Sequence, residues 1–177
     1  MHRVTCVTKR NGTKESIDLS KIRTRLDKLC KEGNPLSKDL DLDTIVRKTA
    51  ASITNNISTR QLDLEAASTS AYLCRYHPDY SDLGGRICVS DLHKSTSDTF
   101  VGYTETMKDF THPITNENMC ILSDDLLNIV KKYPGMFDSW IDFTRDFQFD
   151  FFGFKTLERS YLLRTEEMED GKILTKI

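Results

Sequence analysis

Residues 7–18 of the chain read Val-Thr-Lys-Arg-Asn-Gly-Thr-Lys-Glu-Ser-Ile-Asp. Within them, the Asn11-Gly12 pair separates two short extended runs, residues 3–8 and residues 14–17. Because Asn-Gly supplies the two positive φ angles that a two-residue hairpin turn requires, the segment predicts a β-hairpin. A helix start follows directly, so the predicted order is strand, turn, strand and helix.

Positive charge is concentrated in this hairpin and the helix after it. Residues 1–31 contain nine Lys or Arg against three Asp or Glu; the whole chain carries −2, so this segment carries +6 and the rest −8. Lys21, Arg25 and Lys28 recur at helical spacing and share one face. Basic faces are most often only solvated surface, but this one places charge where a polyphosphate could bind. Nucleic-acid binding is disfavoured because the rest of the chain is acidic.

Several other kinds of site are unsupported by the sequence. It contains neither G-x-x-x-x-G-K-[ST] nor G-x-G-x-x-G, so any nucleotide site is not of the P-loop or Rossmann kind. The cysteines form no C-x-x-C pair and the histidines do not stand at ligand spacing to them, which disfavours structural zinc. Since no apolar run reaches about 18 residues and no leader precedes the first strand, we expect a cytoplasmic protein without membrane contact.

The apolar pattern after the hairpin predicts four helices. The first follows an N-cap at Asp18 or Ser20, the third begins at Ser58 in a capping box with Gln61, and Asp79 caps the fourth. The second and third span about residues 41–54 and 58–76, and the predicted inward-facing residues are Ile22, Leu26, Leu29, Cys30, Ile45, Val46, Thr49, Ile53, Tyr80, Leu83, Ile87 and Leu92. Short loops favour antiparallel neighbours, so we expect a mainly α fold in which the basic β-hairpin caps a four-helix bundle.

Glycine and phenylalanine predict two packing features further along the chain. Gly84-Gly85 inside the fourth helix indicates close helix packing rather than a break. Residues 140–154 are rich in phenylalanine, and the alternation of Phe147, Phe149 and Phe151 predicts an extended segment. We expect these rings in the core, because interleaved aspartates would repel a nucleic-acid backbone.

A second, mostly helical region is predicted to begin near residue 98. Ser123 opens a short helix that ends before Pro134. Residues 155–163 form another predicted helix, and Asp170-Gly171 predicts a second hairpin.

Three stretches of the chain resemble a known family. Residues 7–12 with Glu15, Lys21, Ile22 and Arg25 resemble the opening of an ATP-cone, the regulatory nucleotide-binding module at the amino terminus of the large subunit of class I ribonucleotide reductase. Residues 77–94 are similar to the last helix of the cone, and residues 145–163 to the helical segment that leads into the reductase barrel. The resemblance implies an ATP-cone over residues 1–97 and a partial helical segment, truncated before the barrel, over residues 98–177.

The resemblance also implies an allosteric site for ATP or dATP, with Mg²⁺. Glu15 would accept from the adenine amino group, and Asp63 would sense the ribose and so distinguish ATP from dATP. The triphosphate would be bound by Lys9, Arg10, Lys21 and Lys94 together with Thr59. Ile17 and Ile22 would sandwich the base, with Ser16, Asp18, Leu19 and Ser20 close by.

Two departures from the family leave a second interpretation open. Asp91 stands near the expected phosphate position, and Ser97 replaces a frequent lysine, so triphosphate affinity could be reduced. The chain could then be a cone-derived interaction protein with a degenerate site that associates with full-length reductase subunits. Otherwise its expected partners are reductase large subunits, in a dimer or higher oligomer, and the small subunit. None of the cysteines matches the family's catalytic set, so the chain alone is expected to be inactive; they are Cys6, Cys30, Cys74, Cys88 and Cys120.

Overall fold

The structure is a computed structural model that describes residues 6–53, 56–112 and 115–163, together with the backbone of 165–169 and 172–176. Its elements are β1 (Cys6–Thr8), β2 (Lys14–Ser16), α1 (Leu19–Leu29), α2 (Leu42–Ser52), β3 (Ile57–Ser58), α3 (Thr59–Leu73), α4 (Asp79–His93), α5 (Phe100–Lys108), α6 (Asp124–Lys132), a 3₁₀ helix (Phe143–Gln148), α7 (Phe151–Ser160), β4 (Thr165–Glu169) and β5 (Lys172–Lys176). They divide into two compact units, Met1–Asp91 with Thr144–Leu157, and Leu92–Phe143 with Glu158–Ile177. The mainly helical fold with a small sheet confirms the predicted fold class.

The predicted hairpin is present, but its turn differs from the prediction. Strands β1 and β2 pair antiparallel with Val7 opposite Glu15, and residues 3–5 of the predicted first strand lie outside the described residues. The Gly12 amide donates to the Lys9 carbonyl (2.9 Å), and among the turn residues only Gly12, at φ 78°, has a positive φ. This is a type I turn followed by a left-handed glycine, so the predicted two-residue turn is wrong. The Asn11 carboxamide favours it by accepting from the Thr13 amide at 3.1 Å.

A third strand completes the sheet of the first unit. Strand β3 pairs parallel with β1, with Val7 opposite Ile57, and the strand order is β2-β1-β3. Ile57 is buried, and this strand was not predicted from the sequence. The start of α3 is thereby joined to the hairpin through main-chain pairing.

Sequence patterns predicted caps for α1, α3 and α4 but none for α2, and two of the three predicted caps are confirmed. Asp18 accepts from the Ser20 amide at 2.9 Å, and Ser58 accepts from the Gln61 amide at 3.1 Å. Asp41 caps α2 in the same way through the Thr44 amide. The predicted cap at Asp79 is wrong: this residue lies inside α4, and its carboxylate accepts from the Ser37 amide (2.6 Å) instead. Residue 54, the predicted end of the second helix, lies outside the described residues.

The core of the first unit lies between its helices. Most predicted inward-facing residues are buried, among them Leu26, Ile45 and Leu83, whereas Ile22 and Ile53 are half-buried. Arg86 is also buried, and its guanidinium donates to the carbonyls that follow α1, including those of Leu29 at 3.0 Å and Asn34 at 2.6 Å. This side chain fixes the end of α1 against α4, because it satisfies carbonyls that a helix end leaves without intrahelical partners.

Close packing at the paired glycines is confirmed. A Cβ at Gly84 would lie 3.0 Å from the Ala67 carbonyl oxygen of α3, and one at Gly85 would lie 2.6 Å from the Asp150 carbonyl carbon. Helix α4 therefore continues through both glycines while two neighbouring segments approach its backbone.

The phenylalanine-rich segment is helical, so the predicted extended conformation is wrong. Asp150 explains the difference, since its carboxylate accepts from the Gly153 amide at 2.8 Å and opens α7. The expectation of buried rings fails for Phe149, which is 41% exposed. Within α7 it holds for Phe154, at 4% exposed, and fails for Phe152, at 60%. Helical spacing places these two residues on different sides, whereas an extended segment would place them on the same side.

The second unit contains α5, α6 and the terminal hairpin. Ser123 caps α6 by accepting from the Leu126 amide at 3.3 Å, as predicted. Helix α5 was not predicted; Thr99 caps it, and Phe100 stacks on Phe137 with ring centroids 4.8 Å apart. Strands β4 and β5 pair antiparallel as expected, while the predicted turn at residues 170–171 lies outside the described residues. Over the part of the chain that is described, no helix is long and apolar enough to cross a membrane.

Candidate functional site

A cleft opens in the first unit where the hairpin meets α1, α3 and α4. Its volume is about 140 Å³. Seven of the predicted site residues line it, namely Glu15, Ile17, Asp18, Lys21, Ile22, Thr59 and Asp63. Sequence positions separated by more than 40 residues therefore meet in one cavity.

A carboxylate between two lysines marks the exposed side of the cleft. The Glu15 carboxylate lies 2.7 Å from Lys9 Nζ and 3.3 Å from Lys21 Nζ. These contacts hold the pKa of Glu15 below its ordinary value, and the hydrogen bond from Lys9 is the largest cause. The hairpin supplies Glu15 and Lys9, and the first turn of α1 supplies Lys21. We call these three residues the lysine cluster.

The connection from β2 to α1 forms the next part of the wall. Ile17 and Ile22 both line the cleft, one before and one after the N-cap Asp18. Asp18 accepts from both the amide and the hydroxyl of Ser20, which lowers the pKa of Asp18. The cap fixes the direction in which the chain enters α1, and so places an apolar side chain on each side of the turn.

A second ion pair lies at the α3 side of the cleft. Arg25 Nη1 is paired with Asp63 Oδ1, and Arg25 Nη2 lies 3.3 Å from Ser90 Oγ. The Asp63 side chain is only 11% exposed. The pair connects α1, α3 and α4 across a partly apolar wall that also contains Val7, Leu26, Leu62, Ala66 and Ile87.

Other predicted site residues lie outside the lining. Lys9 does not line the cleft but pairs with Glu15, which does. Arg10 is paired with Asp91. Among the described residues the lining does not include Ser16, Leu19 or Ser20. Lys94 follows the last residue of α4 and belongs to the second unit.

Sequence analysis did not assign Arg25 or the inner apolar residues to the site. The spacing of Lys21 and Arg25 already indicated a shared helix face, and on α3 Ala66 lies four residues after Leu62 and three after Asp63. That pattern suggests which face of α3 lies against the cleft. It does not indicate which carboxylate Arg25 would meet.

The cleft combines three chemical features. An apolar wall can cover a flat ring, exposed lysines can bind phosphate, and carboxylates can accept from amino or hydroxyl groups. Thr59 adds a hydroxyl at the start of α3, where amide groups and the helix dipole favour an anion. The arrangement suits a ligand that is apolar and amino-bearing at one end and anionic at the other.

Comparisons with known proteins agree with this description. Residues 5–95 match the family model of the ATP cone domain. The chain is 42% identical over 171 residues to the ribonucleoside-diphosphate reductase large subunit of Dictyostelium discoideum, covering 96% of this chain and 19% of that protein. It is 39% identical over 158 residues to large chain 2 of the Saccharomyces cerevisiae reductase, covering 89% and 18%. It is 40% identical over 158 residues to the vaccinia virus large subunit, covering 89% and 20%. The chain thus spans about a fifth of the length of these relatives.

Proposed function

Since this chain belongs to the ATP-cone family and is homologous to the amino-terminal region of ribonucleoside-diphosphate reductase large subunits, we propose that it is an allosteric region that binds ATP or dATP. The observation that carries the proposal is the lysine cluster at the edge of an apolar cleft. The remaining residues of the site are assigned roles around it.

The lysine cluster can exchange partners when a nucleotide enters. In the structure, Lys9 and Lys21 are both paired with Glu15. A nucleotide brings phosphates for the lysines and an adenine amino group for the carboxylate, so each charged or polar group keeps a partner. Because these side chains are partly exposed, breaking their mutual ion pairs costs little.

The base and ribose are assigned to the residues that line the cleft. Ile17 and Ile22 cover the adenine, since both line the cavity beside Glu15. Asp63 accepts from the ribose 2′-hydroxyl, which ATP has and dATP lacks, while Arg25 holds the carboxylate in place. Thr59 and Lys21 contact the phosphates, with Arg10 as a further cation. Mg²⁺ accompanies the triphosphate, because this ion commonly binds through phosphates and water.

The proposed consequence of binding is regulation of a larger enzyme. ATP and dATP would change how large subunits associate with each other and with the small subunit. Ribonucleotide reduction itself is assigned to the remainder of a full-length subunit, since this chain spans about a fifth of its relatives.

Isothermal titration with ATP and dATP, at fixed salt with Mg²⁺, tests the proposal. The wild-type chain is expected to bind both saturably, and a Lys9→Ala/Lys21→Ala variant to lose about 100-fold or more in affinity, since each lysine makes a charged hydrogen bond. Lys28→Ala is the matched control, because Lys28 is an exposed lysine of α1 outside the cleft lining. Equal affinity in the double variant would contradict the site. Absence of binding by a wild-type chain with a cooperative unfolding transition would contradict the function.

A further inference from the structure

A second charged cluster lies on the first unit, and two of its three residues, Asp91 and Arg60, have no role among those assigned above. Asp91, in the last turns of α4, is paired with Arg10 of the hairpin turn through Oδ1. Its other carboxylate oxygen, Oδ2, lies 3.5 Å from Arg60 Nε at the start of α3. Arg10 Nη2 also lies 3.4 Å from the Asp91 carbonyl oxygen. One carboxylate thus bridges two guanidinium groups that come from different elements.

This cluster adjoins the phosphate end of the cleft. Arg60 directly follows Thr59, which lines the cavity, and consecutive Cα atoms are only about 3.8 Å apart. Arg10 directly follows Lys9, whose amine contacts Glu15 at the cleft edge. Each of the two arginines therefore neighbours, along the chain, a residue to which a phosphate contact is assigned.

We propose that Arg60 is a further phosphate-binding residue, and that Asp91 is an internal competitor which occupies Arg10 and Arg60 until a triphosphate displaces it. The inference rests on the proposed function and adds a determinant of its affinity. Arginine binds phosphate and carboxylate through the same donor geometry, so one anion can replace the other on the same guanidinium groups.

Exposure of the two arginines supports such an exchange. Their side chains are 34% and 40% exposed, whereas the Asp91 side chain is 16% exposed. Solvent therefore reaches the guanidinium groups beside the carboxylate that pairs with them. A triphosphate carries more negative charge than one carboxylate, and the attraction grows with that charge.

The test compares the wild-type chain with Asp91→Asn, a variant that keeps the side-chain shape and removes the charge. Affinities for ATP and AMP are measured by isothermal titration at fixed salt. We expect Asp91→Asn to bind ATP about two- to fivefold more tightly, the range set by one partly exposed charge, with a smaller gain for AMP. Arg60→Gln should weaken ATP binding, and more so in the Asp91→Asn background, where Arg60 is not already occupied.

Asp43→Asn is the matched control, because Asp43 is an exposed carboxylate paired with Arg23 (2.7 Å) and does not line the cleft. It should leave ATP affinity unchanged. If Asp91 only holds the hairpin in place, Asp91→Asn will bind ATP equally or more weakly, which overturns the inference and leaves the proposed function intact. An equal gain for ATP and AMP also overturns it. If neither the wild type nor Asp91→Asn binds ATP, the proposed function fails and this inference with it.

Discussion

The two sides of the cleft each contain a carboxylate in an ion pair, but they differ in their exposure to solvent. Glu15 is 33% exposed, and its partners Lys9 and Lys21 are 43% and 63% exposed. Asp63 is 11% exposed and Arg25 is 28% exposed. Exposed pairs contribute little to stability, whereas removing one partner of a buried pair leaves a costly charge behind. The lysine cluster is therefore suited to exchange with a ligand, and the Arg25 to Asp63 pair to holding the cleft in shape.

Removal of the buried carboxylate should give the largest effect on stability. Asp63→Ala is expected to lower the free energy of unfolding by about 1–3 kcal/mol, because Arg25 loses a charged hydrogen-bond partner in a mostly buried setting. Urea denaturation measures the change. Glu15→Ala, on the exposed side, should leave the midpoint within error. Equal losses of unfolding free energy in the two variants would contradict the distinction between the two sides of the cleft.

The hairpin turn offers a way to disturb the lysine side alone. Gly12 has φ of 78°, and an added Cβ would meet nothing within 4 Å, so any cost is conformational rather than steric against neighbours. Gly12→Ala should lower the free energy of unfolding by about 1–2 kcal/mol. Gly12→Asn is the matched control with a smaller expected loss, since asparagine tolerates this conformation better. No difference between the two variants in urea denaturation would contradict the assigned turn.

Discrimination between ATP and dATP should depend on Asp63, on the buried side of the cleft. Asp63→Asn keeps the shape of the side chain but weakens its acceptor, so we expect the ratio of ATP to dATP affinity to change by about fivefold, equivalent to about 1 kcal/mol. Competition of the two nucleotides for the same chain measures this ratio. A Lys21→Ala variant should weaken both nucleotides alike. An unchanged ratio in Asp63→Asn would remove Asp63 from the proposed ribose contact.

The smallest expected effect concerns the pH dependence of Glu15. Hydrogen bonds from Lys9 and Lys21 lower its folded-state pKa below the ordinary value of 4.5. Its contribution to stability is therefore fully present above that ordinary value and is lost as the pH falls through the lowered pKa. Carboxyl-carbon NMR titration should give a Glu15 midpoint below 4.5, which moves upward in Lys9→Ala. A wild-type midpoint at or above the ordinary pKa would show that, in solution, Lys9 and Lys21 do not hydrogen-bond to the Glu15 carboxylate.

Local signals in the sequence were sufficient to predict most of the helices. Caps such as Asp18 and Ser58 act within three residues of themselves, so the sequence shows both the donor and the acceptor. Side chains that accept hydrogen bonds from nearby backbone amides also explain two wrong predictions. Asn11 uses its side chain to stabilise a type I turn, and Asp150 caps a helix where alternating phenylalanines suggested an extended segment.

The charged contacts of the site could not be predicted in the same way. Arg25 and Asp63 are 38 residues apart in the chain, and Arg10 and Asp91 are 81 apart. No periodicity connects such positions, because their meeting depends on how the helices pack. The resemblance to a family indicated which residues to consider, and the structure shows how these residues are paired.

The position at which adenine nucleotide binds is the most direct test of the proposed site. Backbone amide NMR spectra of the ¹⁵N-labelled chain, recorded during an ATP titration with Mg²⁺, report this position residue by residue. We expect saturable shifts for Glu15 to Ile22 and for Thr59 to Asp63, with one common dissociation constant and little change near Asp43. Saturable shifts confined to other residues, or no shifts from a folded chain, would contradict the proposal that this cleft is the nucleotide site.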